Sequence, residues 1–449
     1  MMRRRGRVRI VPAQERMPIM RSPGRPDHLG TGTWFILLAI VAGLVGGTLS
    51  LCLRVPSLMQ GPAGRAWHAA ALQHGPIMVA FSAIPALLGG FGTRLVPMQI
   101  GATGTAFPRL GMLSVASTAS GFALVLVGLL PGEPVGLLLA ALYLSGFAIL
   151  LCAANLIATM LNMRRPGMSL GGMPVFAWSQ LIASCLAVAT APLLMACLTL
   201  LALHRMAAAP LQHLFLFLGT PGICIMILPA LGLVSEIVSG LSGRPLAGRR
   251  TAIAAMAVLA LAGYLDWAHR LLAGQFGSDG SLSRSALLLP ALVMIGCWGA
   301  TLRRGGRLRP MLAHTPGLFA LGFMIVLLAG AVAGLRSSQP MHDGLALGAV
   351  FAMFAGTYWW IGRLTGKAYP EGLGRLQFWL LLAGVGLMPL SQGLLAAFGA
   401  ALASLSVLVF ALMLAVTLLR RSPAGAVPWD VDAAELEWSR PSPVGVGFR

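Results

Sequence analysis

The chain has 449 residues, of which 57% are hydrophobic and 10% charged, and its mean hydropathy is +0.84. That balance excludes an ordinary soluble domain and indicates an all-α, polytopic membrane protein. The net charge of +20 does not imply nucleic acid, because the arginines sit between apolar runs and favour one side of them.

Residues 1–32 read as a basic tail, with Arg3, Arg4, Arg5, Arg7 and Arg9 suited to a cytoplasmic end and to anionic lipid. No apolar stretch follows until about residue 33, which is poor spacing for a signal peptide. About twelve apolar runs then recur, at 33–53, 70–92, 112–130, 136–161, 175–203, 213–241, 251–273, 285–302, 315–335, 342–362, 376–396 and 398–419. Each is long enough to span a bilayer. They predict one membrane domain over 33–421, closed by a C-terminal tail over 422–449.

With the N-terminus inside, the inner loops hold fourteen basic residues. The outer side holds six: Arg54, Arg65, Arg205, Arg270, Arg284 and Arg336. This is the positive-inside bias, and it predicts a multi-pass protein with both termini cytoplasmic. Arg far outnumbers Lys, and Ala, Gly and Pro are abundant, as in GC-rich bacterial genomes, so the bacterial inner membrane is the expected location. Cys52, Cys152, Cys185, Cys197, Cys224 and Cys297 fall singly in apolar runs without metal spacing and read as small core residues.

The histidines carry more chemistry. Threading twelve spans puts His68, His74, His204, His213, His269 and His342 toward the outer face and His28 and His314 on the inner side. Several imidazoles thus share one depth, and facing helices of a bundle are where cofactor ligands are built. An interfacial His near a helix end is also commonly just solvated. That is the expected state of His68 and His204, while position alone leaves His74 and His342 evenly balanced.

Six segments in order tip that balance. They are GGTLSLCLRVPSLM (46–59), HGPIMVAFSAIPALLGGFGTRLVPMQIGATGTAFPR (74–109), SGFAILLCAANLIATMLNMRRPGM with PVFAW (145–178), QHLFLFLGTPGICIMILPALGLVSEIVS (212–239) with GYLDWAH (263–269), HDGLALGAVFAMFAGTYWWIGRLTG (342–366) and PWDVDAAELEWSRPSP (428–443). Together they resemble subunit I of the heme-copper oxidase family, the catalytic subunit of cytochrome c oxidase. The resemblance implies that His74 and His342 are the axial ligands of one low-spin heme (type a, b or o) and that Arg54 interacts with it.

The same resemblance marks losses. Where the family has HPEVY in its sixth helix, this chain has Thr220, Pro221, Gly222, Ile223 and Cys224. A copper ligand, a relay Glu and a cross-linked Tyr are thereby replaced by Thr220, Gly222 and Cys224. The family's adjacent His pair becomes His269 and Arg270, leaving His269 as the lone remnant copper-ligand position. Its high-spin heme ligand becomes Pro340. Proton-channel positions become Gly104, Thr93, Gly111, Met294 and Ala291. The Arg pair for the heme propionates has no counterpart, with Arg336 and Arg205 as substitutes. One imidazole beside an Arg is too poor a set for copper.

Asp266 and Glu236 are the other ionisable residues read within spans. Asp266 is expected to pair with Arg270 one turn on, and Glu236 to lie near the inner interface.

The leading expectation is a degenerate subunit I, a pseudoenzyme not catalytic alone, that binds one low-spin bis-His heme for respiratory electron transfer. Its expected partners are the bilayer, other respiratory subunits, and cytochrome c or quinol as donor. Two other readings stand beside it: an active terminal oxidase with a rearranged site, and a heme-free scaffold, assembly or transport protein.

Overall fold

The computed structural model describes residues 27–52, 73–130, 135–203, 210–273, 281–305, 308–333, 338–388 and 394–420; some side chains at helix ends in this set are not described. Among the described residues the regular elements are all helices. Twelve are long: α1 (His28–Cys52), α2 (His74–Ile100), α3 (Pro108–Gly128), α4 (Val135–Asn162), α5 (Val175–Ala202), α6 (Pro210–Ser242), α7 (Arg249–Ala273), α8 (Ser281–Gly305), α9 (Thr315–Ala333), α10 (Ser338–Thr365), α11 (Glu371–Leu387) and α12 (Leu394–Leu419). Each predicted run coincides with one of them. Among the described residues, ten helices are long and apolar enough to cross a membrane.

Helix ends are where sequence and structure differ. Helix α1 starts at His28 rather than 33, because the Asp27 carboxylate accepts the Gly30 N–H at 2.7 Å and caps it. The Arg94 guanidinium then ties this first turn to α2 by donating to the Leu29 carbonyl at 3.0 Å and to the Thr33 hydroxyl.

The bundle is built around α6 and α2. The core of α6 is wholly buried and α2 nearly so, whereas only about a quarter of α1 and of α12 is buried. Small residues permit this. A Cβ on Gly232 of α6 would collide with the Ser179 hydroxyl of α5, and one on Gly92 of α2 would lie 2.8 Å from Gln180 Oε1. Such close approach is how helices associate where no hydrophobic force separates them from lipid.

The outward faces are apolar too. Trp34, Leu37 and Val41 of α1, Val258, Leu261 and Leu265 of α7, and Leu405, Leu408 and Leu412 of α12 are exposed at helical spacing. In water such stripes would aggregate; in a bilayer they are the solvated surface. Hydroxyls are hidden by bonding back one turn, as Thr190 does to Leu186 O at 2.8 Å and Thr417 to Met413 O at 2.7 Å.

Helix α2 departs from regular geometry. After an α-helical start at His74–Pro76 it runs through π-type turns at Ile77–Ala83 and Pro85–Gly92, then returns to α at Thr93–Ile100. Pro85 lacks the N–H that an α ladder needs, and Gly89, Gly90 and Gly92 let neighbours press close.

Of the six cysteines read as core, Cys152, Cys224 and Cys297 are buried, Cys52 and Cys197 are half-buried, and Cys185 is exposed on α5. Cys185 therefore faces outward rather than inward, since an apolar sequence does not tell a lipid-facing stripe from a packed one.

Candidate heme site and the α6–α7 seam

His74 opens α2 and is half-buried. The residue before it pins the helix start, Gln73 Nε2 donating to the Gly128 carbonyl at the end of α3 at 3.4 Å. On the α1 side, a Cβ on Gly46 would lie 2.8 Å from Met78 Sδ, so the two helices touch one turn past His74. A Cβ on Gly75, the next residue, or on Gly47 of α1 meets nothing within 4 Å among the described residues. Arg54 lies outside the described residues, as do His68, His204, Arg205 and Arg336.

His342 lies in the first turns of α10, with its side chain outside the described set, as are those of Pro340 and His213. The backbone still fixes its level. Helices α2 and α10 touch where a Cβ on Gly356 would lie 3.1 Å from Phe91 Cζ. His342 precedes Gly356 by fourteen residues, and His74 precedes Phe91 by seventeen. Fourteen α-helical residues rise about 21 Å. The π-type turns of α2 put more residues into each turn, which shortens its longer stretch toward the same height. Both histidine positions thus fall at one level, at the same end of α2 and α10.

The second constellation lies on α6 and α7. Thr220 and Cys224 are 4% and 1% exposed, one turn apart, and both face Gly263. A Cβ there would lie 2.5 Å from Cys224 Sγ and 3.8 Å from Thr220 Cγ2. The seam thus turns a threonine methyl and a thiol toward Gly263, with Gly222 adding no side chain. His269, six residues beyond Gly263, is turned roughly 120° from it around the helix and is exposed. Asp266 is half-buried, and the Arg270 side chain expected to pair with it lies outside the described set. The described residues hold no group of three or more His, Cys, Asp or Glu arranged for a metal.

Polar groups near the expected channel positions serve the fold. Asn155 of α4 accepts the Phe107 N–H at 2.9 Å and donates to the Phe107 carbonyl at 3.1 Å, while Thr159 accepts the Ala106 N–H at 2.9 Å. These bonds hold the loop containing Gly104 against α4. Gly111 packs on Asn155 and Thr31, and Thr93 is buried beside Cys152. Met294 and Ala291 are buried on α8, and the nearby Trp298 Nε1 donates to the Ser235 hydroxyl at 2.9 Å.

Sequence reasoning missed two long-range pairs. Glu236, near the end of α6, is 6% exposed and accepts from Gln99 Nε2 at 2.7 Å, with Gln99 itself 9% exposed. Its only local signal was an acidic residue inside an apolar run. Near the inner surface, Glu371 of α11 accepts the Thr315 N–H at 2.6 Å and its hydroxyl at 2.9 Å, capping α9 across the bundle. Arg375 lies 3.8 Å from the same carboxylate. His314, just before α9, is held below its ordinary 6.5 by burial first, with Glu371 opposing and Arg375 reinforcing the shift.

A family model described as "Cytochrome C and Quinol oxidase polypeptide I" matches residues 30–415. The chain belongs to this oxidase subunit I family. "Cytochrome c oxidase subunit 1" of Cereibacter sphaeroides is 30% identical over 460 positions, covering 85% of this chain and 81% of that protein. Members of the family bind hemes and copper and work in respiratory complexes. This subunit I-like chain is accordingly a polytopic helical membrane protein. Its donor chemistry fits one of those groups better than the other. A half-buried imidazole at the head of α2, level with a second histidine position on α10, suits a heme ligand pair. The α6–α7 seam presents no imidazole at Thr220, Gly222 or Cys224.

Proposed function

We propose that this protein is a divergent subunit I that binds one low-spin heme between His74 and His342 and no longer reduces oxygen. One observation carries the reading. The two histidine positions share one level at the same end of α2 and α10, whereas the α6–α7 seam presents Thr220 and Cys224 around Gly263. His74 and His342 would hold the heme iron. Arg54, two residues beyond the end of α1, would meet the heme's polar edge. When bound, such a heme supplies one-electron transfer and, with both axial positions taken, no open coordination site.

The buried apolar side chains of α2 and α10 keep water from the inner side of that level. At the seam Thr220 and Cys224 pack the helices and hold no metal. The protein is assigned to the bacterial inner membrane with both termini cytoplasmic, beside other respiratory subunits, with cytochrome c or quinol as electron donor.

Heme and metal analysis of the purified protein, with electron paramagnetic resonance of the oxidised form, tests this reading. One heme per chain, a low-spin signal and no stoichiometric copper are expected. A high-spin signal with copper supports an active oxidase instead. Absence of heme under conditions that load a conventional family member supports a heme-free scaffold.

A further inference from the structure

The face on which α6, α8, α10 and α12 end carries a block of positive charge that the heme reading does not use. The turn between α6 and α7 (residues 243–248) lies against the end of α8. Ala247 N–H donates to Thr301 Oγ1 at 2.9 Å, and a Cβ on Gly305 would lie 3.0 Å from the Ser242 carbonyl. This contact gathers Arg244, Arg250, Arg303 and Arg304 on one surface, all exposed, with Arg309 just beyond. Residues 243–250 and 299–313 contain no Asp or Glu, and these five arginines have no acidic partner among the described residues. Elsewhere on this face basic side chains bond to backbone: Arg249 to the Gly171 and Met173 carbonyls, Arg375 to the Ala313 carbonyl and Lys367 to the Leu418 carbonyl.

The chain supplies a matching charge. Asp430, Asp432, Glu435 and Glu437 are four of its twelve acidic residues, and they fall within eight positions with no basic residue between them. They lie in the tail PWDVDAAELEW, beyond Arg420, the last described residue. The tail leaves from the end of α12, on the same face as the arginines. Its reach suffices. Helix α12 touches α10, with Phe354 and Phe410 centroids 4.8 Å apart, and α10 touches α6 where Trp359 packs at Gly240, with α8 next. Three helix spacings amount to about 27 Å. The ten residues from Arg420 to Asp430 extend to about 33 Å.

We propose that the acidic segment 428–438 docks on the Arg244, Arg250, Arg303 and Arg304 surface, bracing the inner ends of α6, α7 and α8. The occupant is this chain's own tail rather than an anionic headgroup, because the tethered segment is present at high effective concentration whatever the lipid. The attraction is exposed and electrostatic, so salt weakens it.

Hydrogen exchange of the full-length protein in neutral-lipid nanodiscs tests this. The expected result is severalfold faster exchange of amides in 243–250 and 299–305 in the tail variant D430N/D432N/E435Q/E437Q, and the same acceleration in unaltered protein at high salt. Reversing charge on both sides, with Arg303→Glu and Arg304→Glu paired with Asp430→Arg and Asp432→Arg, should restore slow exchange. Unchanged exchange in the tail variant overturns the proposal. So does protection that appears only when phosphatidylglycerol is added and is indifferent to the tail, which would assign the surface to lipid phosphate. If the reversed pair stays fast while each single-sided variant is equally fast, specific docking is likewise excluded.

Discussion

The head of α2 and the α6–α7 seam come from equally family-like stretches of chain, yet they are built oppositely. At the head of α2 the imidazole is half-buried, and a Cβ on Gly75 would meet nothing within 4 Å among the described residues. At the seam a Cβ on Gly263 would strike Cys224, and the groups that face it are a thiol and a threonine methyl. Backbone framework and donor chemistry are therefore separable. Small residues at helix contacts fix the packing independently of what a site binds.

The comparison breaks most visibly at the ligands. His74→Ala or His342→Ala is expected to abolish the heme spectrum of the purified protein while its helical circular dichroism remains; an unchanged spectrum in both variants would remove the ligand assignment. Next comes the contrast between the two glycines. Gly263→Val should destabilise by about 1–3 kcal/mol through overpacking on Cys224, whereas Gly75→Ala should stay within about 0.5 kcal/mol. Thermal unfolding in one detergent reads both, and equal losses would show that the two regions are not packed differently.

Smaller effects come from the inner surface. Glu371→Ala removes the carboxylate that caps α9 and is expected to cost about 1 kcal/mol. That loss should leave the heme spectrum unaltered, since the cap lies at the far end of the bundle from His74. The smallest is a pH effect. His314 is held below its ordinary value in the folded protein, so the unfolded chain binds the extra proton first. Its contribution to stability is present above pH 6.5 and fades as pH falls through that range toward the lower folded value. His314→Gln should flatten this acid slope in melting curves taken from pH 7 to pH 5.

Twelve helices were legible because each needs a long apolar run, and length and hydropathy survive in sequence as local signals. Their ends were less so. The start of α1 depends on the Asp27 cap, and α10 begins at Ser338, ahead of the run expected from 342. The candidate ligands were legible through motif order rather than periodicity. What stayed hidden were pairs distant in sequence. Gln99 and Glu236 are 137 positions apart and Thr315 and Glu371 are 56 apart, so no local pattern joins them. The π-type turns of α2 were equally hidden, since Pro85 and the following glycines allow several helix geometries and packing selects one.

The central claim is that both axial positions are filled by histidine and that no oxygen-binding centre remains. A carbon monoxide difference spectrum of the dithionite-reduced, purified protein tests it most directly. The account predicts a sharp reduced heme spectrum that carbon monoxide leaves unchanged. A carbon monoxide-dependent shift, photolysed by light and stoichiometric with heme, would contradict it.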